Sequence, residues 1–159
     1  MSLYDWLLFL HVLTAFALVA ALVVFWVIGI VARNNDVPSV SLQYFRVARP
    51  AQVMVAIGTL GTLIFGIALA IERDEYQVWD GWILGAIVVW AIAAGLGQRG
   101  GKTYAQAAQL AARLVAEGRD GPNVELRTLL QDRTAILLNA LSSLGVLLIL
   151  IDMIYKPGA

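Results

Sequence analysis

The chain has 159 residues, enough for one domain, and 60% of them are hydrophobic while 14% are charged. Soluble domains are roughly 45–50% apolar and about 25% charged, so the excess apolar surface must face lipid. Zero formal net charge argues against a globally basic nucleic-acid binder, and the lack of cysteine excludes disulfides, thiolate metal sites, iron–sulfur clusters and covalently attached c-type haem.

A spanning helix needs about 20 mostly apolar residues. The first such stretch runs from Trp6 to Ala32, with His11 and Thr14 as its strongly polar residues. No positive region precedes it and no small-residue cleavage site ends it, so it reads as a retained membrane helix, not a signal peptide. A first loop follows, Arg33 to Arg49, whose segment Ser39 to Ala48 suits the membrane interface. The second span is Pro50 to Ile71, with Pro50 suited to a first helical position. A short acidic loop, Glu72 to Asp80, carries Asp74 and Glu75. The third span is Gly81 to Gly97. The run Gly97-Gln98-Arg99-Gly100-Gly101-Lys102 lacks the spacing of a phosphate loop and reads as a helix break. In the long third loop, Gln98 to Asp132, Lys102, Gln106, Gln109, Arg113 and Glu117 recur at helical spacing, which predicts an amphipathic helix. Gly118 to Asn123 breaks it, and Val124 to Arg133 then reads as helix running into the fourth span, Arg133 to Tyr155, which Pro157 helps to stop.

Inside lipid the backbone must satisfy its own hydrogen bonds, so the spans are helices. The expected fold is all-α: a single domain, residues 1–159, forming a four-helix transmembrane bundle with a cytoplasmic amphipathic helix in the third loop. Nine of the eleven Lys and Arg residues lie in the first and third loops or, for Arg133, at the third loop's border with the fourth span, against Arg73 and Lys156 on the other side. The positive-inside rule then puts those loops in the cytoplasm and both termini outside. The expected location is a cell membrane that the chain crosses four times.

Gly58, Thr62, Gly66 and Ala70 repeat every four residues and make a narrow small-residue face of the kind that lets helix backbones approach. Asn139 and Ser143 give the fourth span a polar packing face. Such faces serve either packing within the bundle or a homo-oligomer and its partner subunits. His11, about 9 Å below the outer helix end, is the one histidine and a candidate ligand for haem, metal or a quinone. If the first and fourth spans are neighbours, Asp152 lies about one turn above it and orients the imidazole. Any haem there would be five-coordinate, or completed by Met153, by water or by a neighbouring subunit. An interhelical hydrogen bond is the competing reading of His11.

The opening Leu8-Phe9-Leu10-His11-Val12-Leu13 resembles the first helix of a superfamily of small bacterial membrane proteins that includes the copper-resistance protein D-like proteins and the HemJ-type protoporphyrinogen oxidases. The segment Trp82 to Ala86 and the ending Asp152-Met153-Ile154-Tyr155-Lys156-Pro157-Gly158 look most like one uncharacterised four-helix family within it. The resemblance implies a haem-binding role for the first-helix histidine, matched by His11. The third-helix lysine of those relatives has no counterpart in the membrane here, since Lys102 lies past the third span. The chain is therefore expected to be a non-catalytic accessory or scaffold component of a membrane complex. The alternative is a haem- or quinone-binding redox protein using His11, and after it transport of a metal or small molecule.

Overall fold

The computed structural model describes residues 2–72 and 79–156. Five helices follow in order: α1 Leu3–Arg33, α2 Pro38–Glu72, α3 Gly81–Ala116, α4 Val124–Leu130 and α5 Arg133–Tyr155. No strand occurs among the described residues. Asp74, Glu75, Arg73 and Pro157, named above, lie outside them.

Local chemistry sets the helix starts. Ser2 and Asp5 form a capping box: the Ser2 hydroxyl accepts from the Asp5 N–H at 3.2 Å and the Asp5 carboxylate from the Ser2 N–H at 2.7 Å. Asn123 caps α4 by accepting from the Leu126 N–H at 2.9 Å. Asp132 caps α5 through the Thr134 N–H at 2.9 Å. That cap breaks the chain between α4 and α5, where the sequence reading ran one helix through. α2 begins at Pro38, not at Pro50, so most of the expected first loop is helix. The preference of proline for a first helical position holds, but Pro38 fulfils it. Pro50 sits inside α2, where it leaves the Arg46 carbonyl without its helical N–H. The expected break at Gly97–Lys102 is absent: α3 runs unbroken for 36 residues.

Four stretches, α1, α2, α3 and α4–α5 together, are long and apolar enough to cross a membrane. Each spanning helix shows large apolar side chains to its surroundings, such as Phe16 at 71%, Ile64 at 59%, Val88 at 56% and Leu137 at 59% exposed. In water that would be untenable, and in a bilayer it is the lipid-facing surface. This is a multi-pass membrane protein.

Thirty-six residues make α3 about 54 Å long, against a hydrocarbon core of about 30 Å. The surplus gathers at one end, called here the basic end. There Ala32 of α1, the face Ala107, Leu110, Ala111 and Leu114 of α3, and Leu126 and Leu130 of α4 form a buried apolar cluster, with Leu42 and Phe45 of α2 against it. This is a small core of the soluble type. Polar links tie its loops together: the Asn123 N–H donates to the Asp36 carbonyl at 3.1 Å and the Ser39 N–H to the Asp120 carboxylate at 2.8 Å.

In the spanning part, α1 packs along α2 and α3 along α5, giving two helical hairpins that meet chiefly through α2 and α3.

Candidate functional site

The close contacts inside each hairpin are made at small residues. On α2, a Cβ added to Gly58 would lie 2.8 Å from both the backbone N and the Cβ of Leu18 on α1, and one added to Gly66 would lie 3.0 Å from Cε1 of His11. Ala70, further along, is buried against Trp82 and Ile83 of α3. The Thr62 hydroxyl donates to the Gly58 carbonyl within its own helix. In the other hairpin, Asn139 of α5 lies over Gly100 and Ser142 over Gly97. Two of the three glycines in the run that read as a helix break, Gly97 and Gly100, are thus places where α5 approaches α3. The buried Ser142 hydroxyl donates to the Ala93 carbonyl at 2.8 Å.

His11 is half-buried between α1 and α2. Its Nδ1 donates to the Thr62 carbonyl at 3.0 Å. In neutral imidazole that leaves the Nε2 lone pair as the open position of the ring. The expected neighbour does not join it. No hydrogen bond links His11 to Asp152 among the described residues, because α1 takes α2, not α5, as its packing partner. Asp152 carries a buried Oδ2 without a hydrogen-bond partner among the described residues. Met153 packs against the group formed by Ala70, Trp82 and Ile83. Of the three residues foreseen as one site, the structure therefore gives His11 a different, backbone partner. No group of three or more His, Asp or Glu residues that could hold a metal occurs among the described residues.

The principal concave feature lies elsewhere. Between the two hairpins runs a cleft of about 870 Å³, walled by α1, α2, α3 and α5. That volume is within the roughly 300–1,000 Å³ usual for ligand pockets. It extends along α1 from Ala15 to Arg33 and does not reach His11, Asp152 or Met153. Its middle is bordered by polar groups that the protein itself occupies. Trp26 Nε1 of α1 donates to the Ser143 hydroxyl of α5 at 3.0 Å, and that hydroxyl donates onward to the Asn139 carbonyl at 2.9 Å. Trp90 Nε1 of α3 donates to the Thr59 carbonyl of α2 at 3.1 Å. These two indole bonds tie the hairpins across the cleft, and most of the other lining residues, among them Leu18, Leu22, Phe25, Val146 and Ile149, are apolar.

The basic end of the cleft differs. Arg33, Arg46 and Arg49 line it, and no carboxylate does. Arg33 is pinned by its Nε donating to the Gly29 carbonyl at 2.9 Å and by its guanidinium standing 6.0 Å from the centre of the Trp26 ring. Arg46 and Arg49 are exposed and make no ion pair among the described residues. On α2 the positions Arg46, Arg49, Gln52, Ala56 and Thr59 form one stripe at helical spacing. That stripe is visible in the sequence, but the reading of residues 33–49 as a loop hid it.

No family model matches the chain, and no match was found among curated proteins or solved structures.

Proposed function

We propose that this chain is a non-catalytic membrane protein, an accessory component whose working part is the cleft between the hairpins, and that it holds a membrane-soluble, largely apolar molecule there. The observation that supports this most directly is the 870 Å³ cleft walled by four helices, lined mostly by apolar side chains and with its two indole N–H groups bonded across it. A bundle built only to span would close such a space, since packed interiors leave few voids larger than a water molecule. In this reading the basic end is cytoplasmic and both termini are outside, on the strength of the Lys and Arg distribution, and the membrane is the inner membrane of a bacterium, as the resemblance of the opening helix to small bacterial membrane proteins implies.

Filling the cleft tests the reading. Ala94 of α3 and Ala56 of α2 line it from opposite hairpins. Wild-type protein purified in mild detergent from its membrane should carry about one extractable apolar molecule per chain, and Ala94→Trp or Ala56→Trp should expel it. Equal amounts in wild type and both variants would place that molecule on the outer surface and end the proposal.

A second reading rests on His11. A ring whose Nδ1 is held by a carbonyl presents Nε2 in a fixed direction, which suits an axial ligand or a hydrogen bond to a quinone. Absorption spectra after haem supplementation decide the axial-ligand form: a Soret band that His11→Ala abolishes supports it, and an unchanged spectrum removes it; bound quinone extracted from wild type but not from His11→Ala supports the other form, and equal quinone in both removes it.

A further inference from the structure

We propose that the occupant of the cleft is an anionic phospholipid from the leaflet at the basic end, with its phosphate on Arg46, Arg49 and Arg33 and an acyl chain running along the apolar walls. This deepens the reading of the cleft as a binding site and rests on it.

Charge comes first. The cleft wall carries three guanidinium groups and no carboxylate. All three lie towards one end, and none of them has an acidic partner among the described residues. A guanidinium presents a planar fork of donors that matches phosphate oxygens. Arg33 is already oriented by the Gly29 carbonyl and the Trp26 ring, which leaves its terminal nitrogens as the remaining donors.

Length comes next. From Arg49 to Thr62, the deepest lining residue on α2, is 62 − 49 = 13 residues, or about 20 Å of helix. Half of a hydrocarbon core of about 30 Å is about 15 Å. An acyl chain of ordinary membrane length, with its phosphate at the level of Arg49, thus fits along the cleft. A free anion would satisfy the arginines but leave the apolar walls uncovered. An uncharged lipid would do the reverse. An anionic lipid matches both ends at once.

The experiment offers purified protein mixed micelles of phosphatidylglycerol and phosphatidylcholine, equal in amount and with the same dioleoyl chains. Lipid retained after dilution is counted by native mass spectrometry. Wild type should retain phosphatidylglycerol preferentially. Arg46→Gln with Arg49→Gln should reduce that preference by roughly twenty-five-fold, since a basic side chain near an anionic surface contributes on the order of fivefold each. Arg99→Gln with Lys102→Gln removes the same charge from exposed positions outside the cleft, and should leave the preference intact. Equal loss in both pairs would mean general surface attraction and overturn the proposal. Equal retention of the two lipids, both expelled by Ala94→Trp, would overturn the assignment of an anionic headgroup while the cleft stands. Retention of neither lipid, with Ala94→Trp indistinguishable from wild type, would overturn the cleft reading and this inference with it. All four substituted basic residues are exposed or half-exposed, and a monodisperse elution profile confirms folding in each variant.

Discussion

At the scale of single residues, the molecule separates two uses of glycine that look alike in the sequence. Gly58 is buried against α1, where a Cβ would stand 2.8–2.9 Å from backbone atoms of Leu18. A backbone cannot move aside as a side-chain tip can. Gly58→Ala should therefore force α1 and α2 apart and lower stability by about 1–3 kcal/mol, the usual range for overpacking. Gly101 has nothing within 4 Å of its added Cβ. Gly101→Ala should be neutral or stabilising by up to about 1 kcal/mol through helix propensity. Thermal unfolding in detergent, with both variants side by side, checks the pair, and a similar loss in each would mean that the α1–α2 interface is not close-packed at Gly58. The same contrast explains why Gly97 and Gly100 misled the sequence reading. In water two glycines weaken a helix. In a span, the backbone keeps its bonds because nothing else can take them, and the missing side chains admit Ser142 and Asn139.

At the scale of elements, the apolar spans were legible because lipid demands about 20 apolar residues in a row, and few other constraints produce such a run. The ends of the helices were not. Residues 38–49 and 98–116 carry charges, glycines and a proline, all of which resemble loop signals. They are helical because they pack on one another: Ala107, Leu110, Ala111 and Leu114 recur at the spacing of one helix face and bury against α4. The amphipathic pattern there was readable, but its continuity with the third span was not. Helix pairing was also illegible, since hydropathy does not say which span lies beside which. The expectation of a His11–Asp152 pair needed the first and fourth spans as close neighbours. Gly58 and Gly66 instead bring α2 against α1, and with that the cleft opens between the hairpins. The short α4 offers the test at this scale. It has only seven residues, too few to persist alone, and Leu126 and Leu130 are fully buried. Leu126→Ala should cost about 2–5 kcal/mol, detach α4 and open residues 117–123 to protease. Cleavage no faster than in wild type would show that α4 is held by its loops.

At the scale of the whole molecule, the two ends of the bundle are unlike, and the proposals about function depend on which side each faces. One end begins almost at the membrane, with Trp6 and Trp79 exposed as interfacial anchors suit. The other projects beyond it, is closed by the α4 cluster, and carries Arg33, Arg46, Arg49, Arg99, Lys102, Arg113, Arg119, Arg127 and Arg133. Translocating nine basic residues is costly, so this end should remain in the cytoplasm. The cytoplasmic leaflet is also the one whose anionic lipids attract basic segments. Orientation and the lipid proposal thus point the same way: orientation rests on the whole set, and the lipid on the three arginines of that set that line the cleft. The chain has no cysteine, so a single introduced thiol reports one position. Ser2 lies at the start of α1 and Thr128 on the exposed side of α4. With a membrane-impermeant maleimide on intact cells, Ser2→Cys should label at once and Thr128→Cys only after lysis. The reverse pattern would place the arginines of the cleft at the outer leaflet, and the leaflet from which the lipid is drawn would change with them.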